Sequence, residues 1–128
     1  MSKLEANLIL FLLQNRCRVK SRAIGISMVP QIFPGDSITL EPALSEPEPG
    51  DILVYKALDK LVVHRLLTLK GKQNEILILK GDNNPLADSP VCKDRIIGRV
   101  TDIKPGIRRA IYLLISPALR RFQKLLSR

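Results

Sequence analysis

The pattern that most restricts this chain is a series of short strand-like stretches, spaced roughly ten residues apart and punctuated by Gly, Pro, Asn and Asp. Ser37–Glu41 alternates as a strand, and Ile52–Tyr55, Leu61–Thr68, Ile76–Lys80 and Ile96–Val100 follow it. Between them lie Pro34-Gly35-Asp36, a Pro- and Glu-rich stretch over 42–50, Asp59-Lys60, a polar turn from Gly71 to Glu75 and an irregular loop over 81–90. A second Pro-Gly-Asp closes the stretch at 49–51, and shared turn chemistry explains the repeat without duplication. Short strands between such breakers predict a mainly β fold, a compact antiparallel β body. Its 128 residues make one domain, long enough for a real core.

The two ends read as helices. Residues 2–15 begin with Ser2 as a cap, and Glu5 completes the capping box. Leu4, Leu8, Phe11 and Leu12 share one stripe, which is expected to pack on the body. From Arg18 the pattern turns β-like through Val19, Ala23 and Ile24. Residues 107–127 return to helix, with Ser116-Pro117 as cap and first helical proline. There Leu119, Phe122, Leu125 and Leu126 share a face, with Arg120, Arg121, Lys124 and Arg128 largely elsewhere. The expected organisation is an N-terminal helix over 1–17, a β domain over 18–103 and a basic amphipathic helical tail over 104–128.

Charge follows that division. Residues 1–22 hold five Lys/Arg and one Glu, residues 23–103 nine Lys/Arg and eleven Asp/Glu, and residues 104–128 seven Lys/Arg and no acid. Basic ends on a mildly acidic body suit an anionic membrane surface or an acidic partner; a solvated charged tail fits the same numbers. Nucleic acid fits poorly, since aromatics are 4% of residues and Trp is absent. Leu8–Leu13 and Ala110–Ile115 are the longest apolar runs, far short of the ~20 residues that span a bilayer, so a peripheral membrane or cytoplasmic location is expected. No signal-peptide cleavage pattern follows the first run. Cys17 and Cys92 stand far apart without a CxxC, and give neither metal spacing nor a disulfide framework. No cofactor is expected.

Residues 25–36, Gly-Ile-Ser-Met-Val-Pro-Gln-Ile-Phe-Pro-Gly-Asp, carry the chemistry. Pro30 lacks an N–H and stops a ladder strand, so Ser27 belongs at a strand end or on the turn after it. His64, the sole histidine, sits in the apolar strand Leu61–Leu67. Lys80-Gly81-Asp82-Asn83-Asn84 and Ala87-Asp88-Ser89 then supply carboxylates on a loop. Ser, His and Asp in that chain order are the inventory of a hydrolase.

Four stretches resemble the boxes of type I signal peptidases, in order over roughly residues 20–103. Gly25–Pro30 with Gly35-Asp36 looks like their Ser-Met-x-Pro…Gly-Asp box. Val63-His64-Arg65 is similar to the segment carrying their general base. Gly81-Asp82-Asn83-Asn84…Asp88 resembles their Gly-Asp-Asn box, and Ile97-Gly98-Arg99-Val100 their Gly-Arg strand. With histidine rather than lysine before the arginine, the chain resembles the Ser-His branch of the ER and archaea. Lys56 and Lys80 match no lysine of the bacterial dyad.

The resemblance implies Ser27 as nucleophile, His64 as base and Asp88 as the support of the histidine, with Asp82 shaping the loop. It implies an oxyanion donor at the Ser27 N–H and a substrate strand along Gly25, Ile26, Ser27 and Met28. Many relatives carry a serine two residues before the nucleophile, where this chain has Gly25, and a membrane anchor that residues 1–17 cannot provide. The implied activity is endoproteolysis of an extended leader or signal-like segment with small residues before the cut bond. Ile24, Ile26 and Met28 either line the pockets for those residues or pack in the core. Two alternatives stand beside it: an idle leader-binding module of the same fold, and a self-cleaving regulator of the related repressor fold, for which 128 residues leave little room.

Overall fold

The computed structural model describes residues 2–107, 109, 111, 114 and 117–126. Ser2 opens α1 (Lys3–Gln14), its hydroxyl accepting from the Glu5 N–H. The helix ends with Arg16 at φ 60, Arg16 N–H on Leu13 O and Cys17 N–H on Leu12 O. This is a left-handed helix cap built on arginine where glycine would hold φ > 0 at less cost. Ala6, Ile9 and Leu13 face inward. Leu4 (79% exposed), Leu8 (55%) and Phe11 (60%) do not, which corrects the stripe expected to pack. The helix is apolar on two sides, and the strands beneath it select the Ile9–Leu13 side.

Seven strands follow: β1 (Val19–Arg22), β2 (Ser37–Glu41), β3 (Ile52–Ala57), β4 (Lys60–Lys70), β5 (Ile76–Lys80), β6 (Val91–Cys92) and β7 (Ile96–Lys104). A single 3-10 turn, Lys93–Arg95, joins the last two. They form one sheet in the order β1-β2-β7-β3-β4-β5-β6 with antiparallel neighbours throughout. The fold is therefore mainly antiparallel β with an N-terminal helix. A C-terminal helix, α2, spans Pro117–Leu126; the cap expected at Ser116 lies outside the described residues.

β3 explains how the sheet buries two faces. Ile52 and Val54 point toward Met28, Ile32, Ile38, Leu40 and the inner side of α1. Leu53 and Tyr55 point the other way, onto Leu66, Leu77, Leu79 and Val91. Alternate residues of a strand face opposite sides, so an unbroken apolar run is what a doubly covered strand requires. β4 changes partners midway. Lys60–Arg65 pairs with β3, while Arg65–Lys70 pairs with β5 across an irregularity between Leu66 and Thr68. Among the described residues no strand pairs with the second edge of Lys60–His64. β1 is one edge of the sheet, and no described strand pairs with its outer side.

Two ion pairs fasten the loops. Asp36 is fully buried; its Oδ2 accepts from the Phe33 N–H and its Oδ1 from the Gly106 N–H, both at 2.9 Å. Arg109 lies 3.7 Å from the Asp36 carboxylate and donates to Pro30 O. Arg99 reaches Asp51 and the backbone of Ser45, tying down the Pro-rich loop. Cys17 and Cys92 are free and exposed.

Candidate active site

β1 ends at Arg22, and the chain then turns through 25–32 before Pro34-Gly35-Asp36 returns it to β2. Ser27 sits on this turn, half-buried, while Met28, Val29 and Pro30 behind it are buried. The Gly81–Asn84 loop grips the turn from the other side. Asn83 donates its backbone N–H to Ser27 O (2.8 Å) and its side-chain amide to Ile26 O (3.1 Å). A Cβ on Gly81 would lie 2.7 Å from Ser27 O, so only glycine permits that approach.

Asp82 holds the loop to the strand that bears the histidine. Its two oxygens accept from Arg65 Nε (2.9 Å) and Nη2 (2.8 Å), while Arg65 Nη1 donates to Gly50 O. This fork binds one residue past His64 to the loop that holds Ser27. The hydrogen bonds that Arg65 donates to Asp82 raise its pKa above the ordinary value, against the opposing effect of burial.

Ser27, His64 and Asp88 meet. Ser27 Oγ lies 3.2 Å from His64 Nε2, and His64 Nδ1 lies 2.5 Å from Asp88 Oδ2. A carboxylate only accepts, so the imidazole carries its proton on Nδ1 and turns the Nε2 lone pair toward the hydroxyl. Asp88 is set by its own N–H, which donates to Leu79 O (2.8 Å). Lys80 Nζ is taken by Gly81 O, and Lys56 is exposed.

A fourth member was not singled out in the sequence. Tyr55 donates its hydroxyl to the same Asp88 oxygen at 2.7 Å. Burial, then the hydrogen bond to Asp88, hold the phenol well above its ordinary pKa, so it stays a donor through the neutral and alkaline range. Register explains its reach. Leu53 pairs with His64 and Tyr55 with Val62, which puts Tyr55 diagonally across from His64 on one face of the β3–β4 pair. Within the sequence Tyr55 merely ends the apolar run Ile52–Tyr55.

A cleft of about 360 Å³ opens beside Ser27 and His64. Arg22–Gly25 forms one wall and Lys60–Val63 the other; Met28, Ile32, Leu40 and Val54 lie between. Met28 is therefore both core and cleft lining, whereas Ile24 lines the wall and stays exposed, as Ile26 does beside it. Asn84 also lines the cleft, and its side-chain amide donates to no acceptor among the described residues. The Ser27 N–H likewise has no acceptor there. Gly25 has φ +78 with open space beside it. A serine would fit by volume but would strain the backbone, which is a physical reason for the absent second hydroxyl. Among the described residues no cluster of His, Cys, Asp or Glu could hold a metal, and no helix is long and apolar enough to cross a membrane.

Residues 10–101 match the Peptidase S24-like family. The chain belongs to this family. Its fold is accordingly of serine-peptidase type, and the match covers Ser27, His64, Asp82 and Asp88. Compared with curated proteins, the chain has no match.

Proposed function

We propose that this S24-like protein is a serine endopeptidase of signal-peptidase type, cutting an extended leader or signal-like segment through an acyl-enzyme. The observation that carries this reading is the continuous line of hydrogen bonds from Ser27 through His64 to Asp88 at the mouth of a cleft with two open strand edges. Ser27 Oγ attacks the scissile carbonyl carbon and passes its proton to His64 Nε2. Asp88, held by Tyr55, keeps the ring in the required tautomer and stabilises the imidazolium. The Ser27 N–H and the Asn84 amide are the donors open to the oxyanion, Asn84 standing in for the hydroxyl that Gly25 cannot carry. Collapse of the adduct releases the amine with the His64 proton; a water, deprotonated by His64, then cleaves the acyl ester. The substrate enters as a strand, bonding main chain to main chain with the open edges of 22–25 and 60–64.

The test is incubation with a library of peptides carrying small residues before the cut bond, with the cuts mapped by mass spectrometry. Cutting by the wild type and none by Ser27→Ala is the expected result. Peptide binding without cutting by a folded wild type would instead mark an idle leader-binding module, for which Gly25 is the supporting observation.

The C-terminal segment brings this site to its substrate by binding an anionic membrane surface. Among the described residues Ile107, Ile111, Leu114, Leu125 and Leu126 are exposed, as are Leu4, Leu8 and Phe11, so these apolar side chains do not cover one another. Seven cations and no acid over 104–128 supply the charge for anionic headgroups.

A further inference from the structure

We infer that the cleft selects substrates with an acidic side chain four or five residues before the cut bond, bound between Arg22 and Lys60. The inference deepens the peptidase reading and rests on it for the word substrate. Strand direction places the two cations. Four antiparallel steps, β1-β2-β7-β3-β4, make β1 and β4 run the same way, and both lead toward the Ser27–His64 pair. Arg22 precedes Ser27 by five residues and Lys60 precedes His64 by four. At about 3.3 Å per residue along β4, Lys60 stands some 13 Å upstream of His64, and Arg22, the last residue of β1 before the chain turns to Ser27, lines the same cleft.

Among the described residues that line the cleft they are the only arginine and lysine. The cleft is lined by no Asp or Glu among the described residues. Arg22 and Lys60 are exposed and pair with no carboxylate among the described residues, whereas Arg18, Arg65, Lys93, Arg99 and Arg109 each have one. Two unpaired cations facing one channel from opposite walls attract an anion and repel a cation. The rest of the channel is apolar through Met28, Ile32, Leu40 and Val54, which suits small apolar residues between the acid and the cut.

Chemistry sets which side of the bond lies in the cleft. The acyl half stays attached to Ser27 until water arrives, while the amine half departs. A cleft that holds the acyl half keeps the ester in place for hydrolysis, so the acid belongs on the N-terminal side, with the substrate parallel to β1 and β4.

The test separates this selectivity from catalysis. Seven-residue peptides of small apolar residues, ending in an alanine carboxamide and differing only by Glu, Gln or Lys at the fifth residue from the end, are titrated into Ser27→Ala. Glu should bind about threefold to tenfold more tightly than Lys at low salt, the range two exposed ion pairs provide, and the ratio should shrink toward one at high salt. The added Arg22→Glu and Lys60→Glu changes should reverse the order, and Lys20→Glu, outside the cleft on the same strand, should not. Equal binding of the Glu and Lys peptides, or a preference surviving the double reversal, would overturn the inference. With the wild type, peptides spanning the cut should be cleaved faster with Glu on the N-terminal side; an effect confined to the other side would overturn the orientation. Selective binding without cleavage of any peptide would refute the peptidase reading and leave the acid-binding site intact.

Discussion

Replacing Tyr55 by phenylalanine removes one oxygen from the centre of the site. Its ring keeps its packing against Leu66, Leu77 and Leu79, while Asp88 Oδ2 loses a donor at 2.7 Å and retains His64 at 2.5 Å. A hydrogen bond to a charged acceptor contributes about 1.5–3 kcal/mol. The Asp88 side chain keeps 16% of its exposure, so water replaces part of the lost donor, and the lower end, about 1.5 kcal/mol, is expected. The carboxylate, less neutralised, attracts the imidazolium more strongly. The Nδ1 proton that His64 donates to Asp88 should therefore change its chemical shift in Tyr55→Phe. Proton NMR reads this directly, because the chain has a single histidine. The alkaline side carries a second signature. The folded phenol titrates above the unfolded value of about 10, so its contribution to stability is complete below pH 10 and is lost as pH rises past it. Urea unfolding should show that alkaline loss in the wild type and a smaller one in Tyr55→Phe. An unchanged urea midpoint with an unchanged imidazole proton signal would refute the role given to Tyr55.

Asp82→Ala should cost about 2 kcal/mol, below the 3–5 typical of a broken buried pair because Arg65 is 30% exposed and can rehydrate; urea unfolding measures it, and peptide turnover should fall as the Asn83 grip on the Ser27 turn loosens. Asn84→Ala should lower kcat by roughly 10²-fold with little change in KM, as loss of an oxyanion donor does; steady-state kinetics on a cut peptide checks it, and an unchanged kcat removes Asn84 from the reaction. The full chain should float with anionic vesicles at low salt and sink at high salt, and deleting residues 107–128 should abolish flotation.

The candidate site was legible through resemblance: Ser27, His64 and Asp88 stand in short boxes similar to those of a known family, while each residue alone reads as a turn or strand residue, and the structure brings the three within hydrogen-bond reach. Strand locations were legible from local chemistry: breakers such as Pro34-Gly35 and Gly71 end them. Tyr55 was hidden because its role depends on the β3–β4 register, which no local pattern encodes. The buried role of Asp36 was hidden likewise, since Gly106 and Arg109, seventy and more residues on, complete it. The inner side of α1 was misread because both sides are apolar and only the sheet decides between them. β6 was missed because two residues, Val91-Cys92, carry no period. The C-terminal helix was legible at Pro117, where a proline opens the α2 turn.

The central claim is that Ser27 is a nucleophile activated by His64. A fluorophosphonate reacts with such a hydroxyl to form a stable phosphonyl ester, and intact-mass spectrometry with peptide mapping locates it. The account predicts one adduct per chain, on Ser27, forming more slowly in acid, where a protonated imidazole cannot accept the Ser27 proton, and lost in both Ser27→Ala and His64→Ala. No adduct on the folded wild type, or an adduct on Ser27 that forms equally fast in His64→Ala, would contradict it.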